Sequence, residues 1–123
     1  ILDPFYSGMG NTFYQAMSFG IPVVTLPGIQ QRGKVVYAGY KQMGIKNPPI
    51  ANSPEEYISI CKKLAFDCSY MEDIRKQILI KSKEKLFNDK TIYKEYIEFF
   101  YKSIDAARKK TLLPFQWMPS LDG

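Results

Sequence analysis

Between Asp3 and Gly28 the chain reads Asp-Pro-Phe-Tyr-Ser-Gly-Met-Gly-Asn-Thr-Phe-Tyr-Gln-Ala-Met-Ser-Phe-Gly-Ile-Pro-Val-Val-Thr-Leu-Pro-Gly, and no other stretch constrains the fold as much. Gly8 and Gly10 permit backbone conformations and close approaches that a side chain forbids, and Asn11 or Thr12 can cap a following helix by accepting a bond from an amide one turn on. A helix is expected from about residue 11. Phe13, Ala16, Met17 and Gly20 recur at helical spacing and predict a buried face, while Asn11, Thr12, Gln15 and Ser18 point elsewhere. Pro22 then opens Val23-Val24-Thr25-Leu26, a β-branched run of the kind buried on both faces of a sheet, and Pro27-Gly28 ends it. The pattern is β-loop-α-β.

Free amides and the positive end of the helix dipole converge where Gly10, Asn11, Thr12 and Phe13 meet, which makes a place for phosphate. A glycine-bearing turn before a helix is equally common as plain structure. The residues around it narrow the choice. Leu2-Asp3, Gly8, Asn11-Thr12, Gly20-Ile21-Pro22, Val24-Thr25 and Pro27-Gly28 follow in an order that resembles the nucleotide-binding part of the carboxy-terminal domain of GT-B glycosyltransferases. The resemblance is to the O-linked N-acetylglucosamine transferase family and its bacterial relatives. It runs on through Lys34, Val35 and Gly44 and returns at Leu86-Phe87-Asn88.

The resemblance implies an α/β fold: a Rossmann-like partial domain with a small parallel sheet and flanking helices, followed by a helical C-terminal part, together half of a GT-B fold. Residues 1–110 would form the nucleotide-sugar-binding domain and 111–123 a tail. The implied activity is that of the UDP-sugar donor-binding part of an inverting glycosyltransferase, moving N-acetylglucosamine or another hexose to a protein or glycan acceptor, with no metal and no cofactor beyond the donor. Asn11 and Thr12 fall where the family holds the UDP diphosphate with two threonines, Gln15 where an acidic side chain binds the ribose hydroxyls, and Lys34 where it has an arginine. Gly10 stands where the family often has histidine. This chain has no histidine, so the amides of Gly10 to Phe13 are left to hold the diphosphate. The expected site is Gly10, Asn11, Thr12, Phe13, Gln15 and Lys34, with no identifiable catalytic base. Asp3 is a carboxylate near the crevice and reads as structural. The alternative is a non-catalytic, Rossmann-like nucleotide-sensing or protein-interaction module.

The 123 residues, 46% hydrophobic, suffice for one globular unit. Its opening Ile1-Leu2-Asp3-Pro4, without methionine, is expected to be cut from a longer polypeptide that supplies an N-terminal GT-B half; alone, the fragment should be inactive. The net charge of +5 is spread over helices interleaved with acids, which reads as solvated surface and argues against a nucleic-acid partner. Cys61 and Cys68, without histidine, make no zinc pattern and read as reduced and partly buried in a cytoplasmic protein. No apolar run reaches membrane-spanning length, and a homo-oligomer is left open.

Further along, Ile29 to Lys34 reads as a polar loop facing the crevice of Asn11, with Arg32 and Lys34 as its cations. A helix follows, with Val35, Val36, Ala38, Gly39 and Met43 inward and Gly44 as its stop. An extended piece is expected around Pro49-Ile50-Ala51, then a helix capped by Ser53 with Tyr57, Ile60, Cys61 and Leu64 inward. Ser69 should cap the next helix, with Met71, Ile74, Ile78 and Leu79 inward, and Asn88 the last. In that last helix Tyr93, Tyr96, Ile97, Phe100 and Ile104 form a stripe of the kind that is usually core. Phe99 and Tyr101 broaden it enough to pack on more than its own domain, as the resemblance implies for a final helix that crosses back to the amino-terminal half. Leu112, Leu113, Phe115 and Trp117 suggest a docked tail.

Overall fold

The structure, a computed structural model, describes residues 1–114 and 117–119. Five α-helices follow one another: α1 (Asn11–Ser18), α2 (Val35–Met43), α3 (Pro54–Phe66), α4 (Cys68–Ser82) and α5 (Thr91–Arg108). A 3-10 turn at Gln31–Gly33 precedes α2, and a π-helical turn at Lys83–Phe87 prolongs α4. The chain divides into two compact units, Ile1–Asn88 and Asp89–Gly123.

The parallel sheet expected of an α/β, Rossmann-like domain does not form. Among the described residues, extended pieces meet only in two isolated parallel bridges, Leu2 with Val24 and Thr25 with Ile50. The amides of Asp3 and Val24 donate to the carbonyls of Val24 and Ile1 (2.9 Å each), and those of Thr25 and Ala51 to Pro49 (3.0 Å) and Thr25 (2.8 Å). Prolines explain why the pairing stops there. Pro4, Pro22, Pro27, Pro48 and Pro49 bracket or interrupt the three pieces, and each lacks the amide that a ladder requires. The first unit is a helical assembly around three short chain segments, and the half GT-B fold is corrected along with the sheet.

Helix positions follow the sequence pattern closely, while several caps and faces differ. Gly10 occupies the N-cap of α1 and no side chain caps it, so Asn11 and Thr12 are first-turn residues instead of caps. On α2 the buried side is Val36, Gly39, Tyr40 and Met43, and Ala38 is exposed. At 100° per residue, Val36, Tyr40 and Met43 share a face from which Ala38 is turned away. Gly44 ends α2 with φ 62°, in the left-handed region expected of that stop. Ser53 does cap α3, its Oγ accepting from the Glu56 amide at 3.1 Å. For α4 the cap is Asp67, whose carboxylate accepts from the Tyr70 amide at 2.9 Å, and Ser69 lies inside the first turn. A charged acceptor at a helix amino end outcompetes a hydroxyl. Before α5 the N-cap is Lys90, with no side-chain cap; Asp89 accepts from the amide and hydroxyl of Thr91, and Asn88 is not the cap. Cys61 and Cys68 are both unpaired; Cys61 is half-buried, while Cys68 is exposed and departs from the expectation of a partly buried thiol. The aromatic stripe of α5 is not core, because no residue of this helix is buried.

The core of the first unit joins α1, α2 and α4: Phe13, Met17, Val23, Val36, Tyr40, Met43, Ile74 and Ile78 pack together. A smaller cluster sets Val24 and Ala51 against Tyr57 of α3. Phe13 is fully buried, with ring centroids 6.1 Å from Tyr40 and 5.3 Å from Tyr14. Its ring fills the notch at Gly39, where an added Cβ would stand 2.3 Å from Phe13 Cζ. Gly39→Ala therefore sets a helix-propensity gain of about 1 kcal/mol against an overpacking cost of roughly 1–3 kcal/mol. The overpacking wins, because the ring is hemmed in on every side. Urea melts should show a net loss of stability, and the companion change Phe13→Leu should restore part of it; a Gly39→Ala protein more stable than wild type would mean the notch is not tight.

Candidate functional site

The loop before α1 is held from below by one side chain. Asp3 is buried, 4% exposed, and its Oδ1 accepts from the Met9 amide at 2.8 Å while its Oδ2 accepts from the Thr25 hydroxyl at 2.7 Å. Its carbonyl also accepts from the Tyr57 hydroxyl at 3.3 Å. Asp3 thus ties the loop to the neighbouring extended piece and to α3. On the loop's other side, Gly8 donates its amide to the Arg32 carbonyl at 3.1 Å. A Cβ on Gly8 would lie 2.7 Å from that oxygen, so only glycine admits the approach. The polar loop does lie against the glycine turn, as its position after Val23–Leu26 suggests.

The amino end of α1 is open. Gly10, Asn11, Thr12 and Gln15 are exposed, and a Cβ added to Gly10 would meet nothing within 4 Å beyond its chain neighbours. The amides of Asn11 and Thr12 have no acceptor among the described residues. Phe13 differs from its neighbours in two ways. Its amide donates to the Gly10 carbonyl at 3.0 Å, and its ring belongs to the core. Of the six expected site residues, Gly10, Asn11, Thr12 and Gln15 stand together on the exposed first turn and loop. Lys34 is exposed at the start of α2 and lines a groove of about 220 Å³ with Tyr14, Gln31, Val35 and Gln42. Through Tyr14 that groove reaches the flank of α1. No hydrogen bond joins Lys34 to Asn11 or Thr12.

A second concavity, of about 350 Å³, opens beside the glycine turn and is lined by Phe5, Tyr6, Gly28, Ile29, Gln30 and Arg32. Sequence reasoning passed over Phe5 and Tyr6. Tyr6 is 89% exposed, and the Phe5 ring is braced edge-on against Tyr57 at 5.2 Å. The available signal was two adjacent aromatics in a loop that has no core of its own to fill. Among the described residues no group of three or more metal-ligating side chains gathers, and no helix is long and apolar enough to cross a membrane. In comparisons with known proteins, no family model matches the chain and no curated protein matches it significantly.

Proposed function

We propose that the Ile1–Asn88 unit binds the diphosphate of a UDP-sugar at the amino end of α1, and that it serves an inverting transfer of N-acetylglucosamine or another hexose to a protein or glycan acceptor. The observation that carries this reading is the uncapped, exposed first turn at Gly10, Asn11 and Thr12, with amides that have no internal acceptor. Amides at a helix start favour an anion by direct bonding and by the helix dipole. Thr12 Oγ1 and the Asn11 side-chain amide add donors, and Gln15, one turn on, can bond the ribose hydroxyls. Lys34 supplies positive charge alongside α1. These groups neutralise a departing diphosphate without a metal, through preorganised donors.

The base that takes the acceptor proton comes from outside this set. Both Asp3 oxygens are engaged and buried, so Asp3 holds the loop and does not reach a substrate. That same fact keeps a second reading in play, a nucleotide sensor without catalysis. The unpaired thiols of Cys61 and Cys68 suit a reducing, cytoplasmic setting for either.

Calorimetry with UDP tests the binding. Thr12→Val should weaken affinity by roughly 1.5–3 kcal/mol, the worth of a hydrogen bond to a charged group, with the unfolding transition unmoved. Wild-type protein that takes up no UDP ends the reading, and equal affinity in the variant removes Thr12 from the site. Release of sugar from a UDP-sugar separates an enzyme from a sensor.

A further inference from the structure

We draw no further inference here: the strongest candidate, the exposed apolar face of α5 formed by Tyr93, Ile97, Phe100 and Ile104, carries none, because nothing in the structure shows what covers it.

Discussion

Asp3→Ala is expected to lower the stability of the Ile1–Asn88 unit by about 3–6 kcal/mol, since two hydrogen bonds to a charged group are lost at roughly 1.5–3 kcal/mol each. The change strands two groups: the Met9 amide and the Thr25 hydroxyl both donate to this carboxylate, and Thr25 is fully buried. Because a domain's whole stability is about 5–15 kcal/mol, the loss takes a large share of it. Asp3→Asn should be milder, keeping one acceptor oxygen and allowing the Thr25 hydroxyl to turn and accept. Urea denaturation of the three proteins gives the order directly. If Asp3→Ala melts within about 0.5 kcal/mol of wild type, as a surface change would, the carboxylate is not the tie that the geometry describes. The same experiment bears on the site, because loosening the loop before α1 should weaken UDP uptake even where the protein remains folded.

Tyr40→Phe comes next in size. The Tyr40 hydroxyl accepts from the Val23 amide at 2.8 Å and donates to the Val23 carbonyl at 3.0 Å, inside the core. Removing one oxygen leaves a buried donor and a buried acceptor without partners, at roughly 1–3 kcal/mol for each. A loss of about 2–6 kcal/mol should follow, and a neutral Tyr40→Phe would mean that water or a shifted backbone replaces the hydroxyl. The substitution also has a pH signature. Burial pushes the Tyr40 phenol far above its ordinary value, with the Val23 backbone bond opposing part of the shift. Tyr57 and Tyr70 are raised as well, chiefly by burial. A group whose folded-state pKa lies above the unfolded value of about 10 keeps its contribution below that pH. Above it the unfolded chain gives up the proton while the folded chain retains it, so stability falls as pH rises. Wild type should therefore lose stability steeply from about pH 10 upward, and Tyr40→Phe less steeply. Equal slopes for the two proteins would rule out Tyr40 as the source.

The elements that could be read from the chain are those whose cause is local. The start of α1 after two glycines, the left-handed stop at Gly44 and the Ser53 cap each depend on residues within one helical turn. The inward face of Phe13, Ala16 and Met17 was equally legible, because helical spacing alone defines it. The exposed first turn at Asn11 and Thr12 stands where the glycine pattern places it. Legibility failed where the outcome depended on distant partners. Val23–Leu26 has the composition of a buried strand and is buried from Val23 to Thr25, yet it forms single bridges because its neighbours Ile1–Asp3 and Pro49–Ala51 are short and proline-bound. The α5 stripe has the pattern of a core face, but no part of the described chain buries it.

What the sequence determined by itself is where helices begin and end and which of their faces are apolar, since these follow from backbone sterics and a fixed angular step per residue. Tertiary structure alone decided that Asp3 joins Met9 to Thr25, that Tyr40 closes on Val23, and that Gly39 is the notch for Phe13. Those contacts join residues 6 to 26 positions apart, and their partners are selected by the fit of buried volume and by pairing every buried polar atom, neither of which is written in any single stretch of chain.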